Sequence, residues 1–180
     1  MIRLVFGESP PPTALPTGTI SGALISPDGR YRYRLWRRWD PALPILVWVL
    51  LNPSTAEANT DDPSIRRCLG FARAWRFGGI EVVNLFAWRA TDPTQLALTA
   101  DPVGPGNHDA LRQAISRPLP ATVVCAWGAS PAAPHRARRI RDTLAAAPGG
   151  LWCLGRTKEG WPRHPLYLAR NTPLVPYVWP

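Results

Sequence analysis

Four short stretches carry the residues best suited to chemistry. They are Asn52-Pro53-Ser54-Thr55, Asn84 with Arg89 beyond it, Trp127-Gly128, and the block GRTKEGWPRHPLYL with Arg156, Arg163 and His164. An asparagine amide offers a donor and an acceptor together, and a neutral imidazole does so through its two nitrogens. Arginines suit phosphate and other anions. Plainer roles stand beside these. Asn52 can bond its own turn, since Asn-Pro is a common turn dipeptide. Asn84 in a strand must satisfy its amide, with a loop or with a ligand. Trp127-Gly128 can be packing, and His164 a loop histidine. Asp61-Asp62 can cap a helix, or supply the acid or base of a hydrolase. The sequence contains no glycine-rich phosphate loop ending in Gly-Lys-Ser/Thr, no metal ligands paired at helical spacing and no serine nucleophile elbow. No cofactor or metal is expected.

Elements must bring these stretches together. ILVWVLL (45–51) is continuously apolar, as in a strand covered on both faces. IEVVNLFAW, TVVCAWG and GLWCLG read as three more core strands. Between them Asp62-Pro63 opens a helix, with Asp62 as N-cap and Pro63 at the first helical position. Its buried stripe is Ile65, Cys68, Leu69 and Ala72, and Gly78-Gly79 ends it. Asn107 is placed to cap a short helix to about Ser116. A single helix is expected over 134–147, with Ala133, Ala137, Ile140 and Leu144 inward and Arg136, Arg138, Arg139 and Arg141 outward. Upstream, RYRYRLWRRW alternates, as in a strand with one wet face, and is expected to pair with ILVWVLL as an N-terminal β-hairpin.

Strands alternating with helices predict an α/β fold, a three-layer sandwich with a mostly parallel central sheet. Residues 1–22 read as a loosely ordered segment, with 8–20 rich in Pro, Ser, Thr and Gly, and 23–180 as one domain. In open sheets of this kind ligands bind beyond the carboxyl ends of the strands. The four polar stretches should therefore meet in one cleft.

Composition sets the limits. At 180 residues and 46% apolar, the chain suits one sizeable core. It has no apolar run of about 18 residues and no secretory leader pattern, so the cytoplasm is the expected compartment. Cys68, Cys125 and Cys153 are dispersed in apolar surroundings and read as buried free thiols. The net charge is +9, and Lys158 is the only lysine. The surplus favours polyanionic partners such as DNA, RNA or a nucleotide.

Taken together, LNPSTAEANTDDPSIRRCLGFARAW, GGIEVVNLFAWRATDP, DPVGPGN, AWG and TKEGWPRHPLYL resemble the domain of unknown function 1643 family, over nearly all the chain past about residue 30. That likeness implies no activity. More distantly, the order of motifs resembles the uracil-DNA glycosylase superfamily, an α/β sandwich with a parallel central sheet. Asn52-Pro53-Ser54 matches its first motif, Asn84 in VVNLF the second, Trp127-Gly128 the third and His164-Pro165 the last. The resemblance implies that Asn52 positions water, that His164 stabilises the departing base, and that Asn84, Pro53, Ser54 and Trp127 hold that base. Arg89, Arg163 and Arg156 would contact phosphate or substrate. Two departures stand out. No aromatic follows the first motif in STAEANTDDPS, leaving Trp48, Phe71 or Trp75 to supply the stacking face. The last motif has Leu166-Tyr167 where Ser-Pro is usual. The resulting expectation is an N-glycosidic bond hydrolase. The alternatives are a non-catalytic nucleic-acid or nucleotide-binding module on the same fold, or an unrelated hydrolase using Asp61 or Asp62.

Overall fold

The computed structural model describes residues 3–6, 18–55, 61–116 and 122–180. Eight strands form one sheet: β1 (Arg3–Phe6), β2 (Ile20–Ile25), β3 (Arg32–Arg38), β4 (Ile45–Leu50), β5 (Gly79–Asn84), β6 (Thr122–Cys125), β7 (Leu151–Cys153) and β8 (Val175–Pro176). Their order is β1-β2-β3-β5-β4-β6-β7-β8. The centre, β5-β4-β6-β7, is parallel. Antiparallel pairings flank it on both sides.

Four helices cover the sheet: α1 (Pro63–Ala74), α2 (Asn107–Ile115), α3 (Ala133–Arg139) and α4 (Arg141–Ala145). On one face α1 packs Ile65, Cys68, Leu69, Phe71 and Ala72 onto Leu46, Trp48, Leu50, Ile80 and Val82. On the other, α2, α3 and α4 pack onto Val47, Val49, Val83, Val123 and Cys125. The apolar run of β4 from Leu46 to Leu50 is thus buried on both faces. Each large aliphatic side chain buried there stabilises the fold by about 1.5–3 kcal/mol. The three cysteines are free and buried. Among the described residues no helix is long and apolar enough to cross a membrane.

Helix α1 starts as its sequence dictates. Asp62 Oδ1 accepts the Ile65 N–H at 2.8 Å, and Pro63 takes the first turn. It stops at Trp75, before the glycines, where Arg76 turns left-handed at φ 61°.

Several expectations need correction. The N-terminal hairpin is β2 with β3, not β3 with β4. β3 joins β5, and β4 lies on the far side of β5 between it and β6. Alternation gives a strand its faces and not its neighbour. Nor do the β3 arginines simply line a wet face, because Arg32 and Arg37 are buried. Arg37 sits against Asp61 at 2.8 Å. Asn107 is not the cap of α2; it is the first helical residue, and its amide turns inward. The expected single helix over 134–147 breaks at Ile140 (φ −109°, ψ 14°) into α3 and α4, while Ala133, Ala137, Ile140 and Leu144 still face the core. Arg3–Phe6 and Ile20–Gly22, within the segment read as loose, are paired strand. Residues 1–2 and 7–17 of that segment lie outside the described residues.

Candidate functional site

Parallel register decides what meets at the sheet edge. Leu50 lies opposite Asn84, and Val49 opposite Cys125. The chain leaves β4 for β5 on one side and returns to β6 on the other, so β4 is the switch point where such sheets open a crevice. A cleft of about 330 Å³ sits there. Asn52, Ser54, Asn84, Trp127 and His164 all line it. So do Arg32 and Asp62. Pro53 is buried beside it, and its carbonyl accepts the Ala90 N–H at 2.9 Å.

Asn52 is held by its amide nitrogen. Nδ2 donates to the Ala90 carbonyl at 2.8 Å and to the Pro53 carbonyl at 3.1 Å. Both hydrogens are used, which fixes the orientation of the amide. Oδ1 has no partner among the described residues and is the group left for a ligand or water.

Asn84 is 3% exposed, yet its side-chain amide has no hydrogen-bond partner among the described residues. Its backbone carbonyl also accepts from Asn107 Nδ2 at 3.2 Å. Asn107 also donates to the Leu85 carbonyl at 2.9 Å, locking the end of β5. Neither amide atom is among the fully buried ones left without a partner, so the amide opens on the cleft and is placed to meet what binds there.

His164 precedes a 3-10 turn, Pro165–Tyr167, and its Nδ1 accepts the Leu166 N–H at 3.3 Å. That bond needs an unprotonated Nδ1, so the neutral ring carries its proton on Nε2. Burial holds the imidazole below its ordinary value, with the Asp62 carboxylate pulling the other way. Gly128, at φ +78°, leaves room for it: a Cβ there would lie 3.2 Å from His164 Cβ. The Gly128 N–H donates to the Pro162 carbonyl at 3.0 Å, tying the end of the β6 segment to the histidine loop.

The acidic pair has assigned contacts. Asp62 Oδ1 caps α1, and Oδ2 accepts the Ser54 hydroxyl at 2.7 Å. Asp61 Oδ1 takes Nε and Nη2 of Arg37 at 3.1 and 2.8 Å.

The three arginines expected to touch phosphate do not line the cleft. Arg89 ties two loops, donating to the Gly29 carbonyl at 2.9 Å and the Thr55 carbonyl at 2.7 Å. Arg156 and Arg163 are exposed on the segment leading to His164, which is pinned by the Arg163 N–H on the Gly155 carbonyl at 3.0 Å. Arg136 and Arg67 act like Arg89. Arg136 Nε donates to the Leu85 carbonyl at 2.9 Å, and Arg67 reaches the Pro165 and Leu168 carbonyls. The cleft's own arginine is Arg32, which sequence reasoning missed. Antiparallel pairing to β5 brings the start of β3 to the same edge as Asn84. The Arg32 N–H there donates to the Ala87 carbonyl at 2.9 Å. Burial draws the Arg32 guanidinium down to about 10, with Asp62 opposing. An available signal was the position of Arg32 just after the Asp28-Gly29 turn, where the hairpin re-enters the sheet.

Trp48, Phe71 and Trp75 pack against one another under α1, with ring centroids 5.1 to 6.2 Å apart. None of them lines the cleft. Residues 56–60, part of the stretch without an aromatic, lie outside the described residues. Trp127 is 1% exposed and meets Tyr177 edge-on at 5.7 Å.

The arrangement therefore joins an amide oxygen, an open amide, an imidazole N–H and a buried cation around one hollow. Among known proteins, the model of a family described as protein of unknown function (DUF1643) matches residues 32–166. No curated protein and no solved structure matches the chain.

Proposed function

The chain belongs to the DUF1643 family, whose description assigns no activity, and we propose from its cleft that it is an N-glycosidic bond hydrolase acting on a base in nucleic acid or a nucleotide. The observation that carries this reading is that Asn84, whose side-chain amide opens on the cleft and makes no hydrogen bond among the described residues, shares one hollow with Asn52 and His164. Its donor and acceptor suit the edge of a planar base.

The chemistry follows from charge. Breaking the glycosidic bond leaves positive charge on the sugar and negative charge on the base. The Nε2–H of neutral His164 donates to the base as that charge grows, and a preorganised donor is worth most where charge develops. Asn52 Oδ1 accepts a hydrogen bond from the water that attacks the sugar carbon. Ser54, fixed on Asp62, and Trp127 complete the wall. The distant likeness to the uracil-DNA glycosylase superfamily supports these roles, and the +9 charge suits a phosphate-bearing substrate.

The test is abasic-site formation on oligonucleotides carrying modified bases. Asn52→Ala should abolish product while binding persists, and His164→Ala should slow release of the base. Product formation indifferent to both overturns the proposal. A binding module without catalysis has one observation in its favour, the stitching role of the Asn52 amide. Tight binding with no product across the substrate set would select it.

A further inference from the structure

Of the two aromatic residues lining the cleft, Trp127 is 1% exposed and turned to Tyr177, whereas Tyr167 is 83% exposed. Single exposed apolar side chains are ordinary on a protein surface. Tyr167 differs in its place and its mounting. Its ring centroid lies 6.3 Å from that of His164, tilted by 50°. It shares the cleft with the open amide of Asn84. It also ends a short turn that is fixed at each side. Pro165 and Leu168 are buried, and Arg67 donates to both of their carbonyls. A phenol ring held on a pinned turn at a cleft mouth loses little freedom when something lies on it.

We propose that Tyr167 is a stacking platform for the nucleotide next to the one seated in the cleft, so that the ligand is a single strand rather than a lone nucleotide. This deepens the reading of the cleft as a base site and depends on it. Of the other aromatics near the first motif, Trp48 and Phe71 are buried in the α1 core and the half-buried Trp75 packs against them, and none of the three lines the cleft. Base-on-ring stacking tolerates any base, so the platform adds affinity without adding a sequence preference.

The test compares binding of a labelled, mixed-sequence single-stranded oligonucleotide with binding of its component mononucleotides. Tyr167→Ala should weaken the oligonucleotide at least about fivefold more than it weakens the mononucleotides. Tyr167→Phe should preserve both, because the ring face is retained. Asn84→Ala should weaken both probes, since it strikes the cleft itself. Oligonucleotide affinity unmoved by Tyr167→Ala overturns the platform. So does a wild-type protein that binds mononucleotides as tightly as the strand, a result that leaves the cleft reading intact. Wild-type protein that binds neither probe overturns both.

Discussion

Gly128→Ala measures how closely the fold is fitted around His164. Gly128 sits at φ +78°, where any L-residue is strained, and its missing Cβ would stand 3.2 Å from His164 Cβ. The backbone term is about 1–2 kcal/mol. The contact adds to it, because one carbon must move by a few tenths of an ångström and the imidazole is held in place by the Leu166 N–H. Gly150 supplies the control: φ is +70°, and nothing lies within 4 Å of the position its Cβ would take. Gly150→Ala therefore carries the backbone term alone. For a chain of this length each kcal/mol moves the melting temperature by about 2–4 °C. We expect Gly150→Ala to lower Tm by roughly 2–8 °C and Gly128→Ala to lower it further. Only Gly128→Ala should also shift the His164 ring resonances in an NMR titration and weaken mononucleotide binding. Equal Tm losses in the two variants, with the His164 resonances unmoved, would refute the fit described here.

Three further outcomes follow from the same contacts. His164 has a folded value below its unfolded one, so the unfolded chain takes up the proton first; its contribution to stability is whole above about pH 6.5 and is lost as pH falls through the folded value. Urea midpoints of wild type should accordingly fall more steeply below about pH 6.5 than those of His164→Asn, and parallel curves would contradict this. Asn84→Leu should leave the unfolding free energy within about 0.5 kcal/mol of wild type, because no internal hydrogen bond is lost, whereas a drop of about 1–3 kcal/mol would mean that the amide is structural. Asn107→Ala removes two bonds to the end of β5 and should cost about 2 kcal/mol in urea unfolding, with an unchanged midpoint counting against that role.

Local signals made much of this legible. Asp62-Pro63 announces α1 because capping and a fixed φ act within one turn. The run ILVWVL announces a strand buried on both faces because nothing in it suits water. Asn52, Asn84 and Trp127 could be placed on one rim because each lies at or just past the end of a core strand, and parallel strands end on the same edge; His164 follows the last of them by a longer loop. The partner of β3 on its inner side was not legible. It is β5, more than forty residues away in sequence, and pairing at that range is settled by the whole sheet. The long arginine side chains also resisted reading. Arg89 sits at the rim as expected, but its reach lets it bond loop carbonyls instead of facing the cleft. Arg32 looked like one of several surface charges until the hairpin's true pairing turned it inward. The break at Ile140 has no Pro or Gly to announce it.

The sheet order has a mechanical consequence. β1 and β8 lie at opposite margins, separated by seven strand intervals, or about 34 Å along the sheet at about 4.8 Å each. A donor and an acceptor dye placed on these two outermost strands would span every pairing in the molecule at once. Energy transfer between them would then report the first seam to part under load, whichever it is.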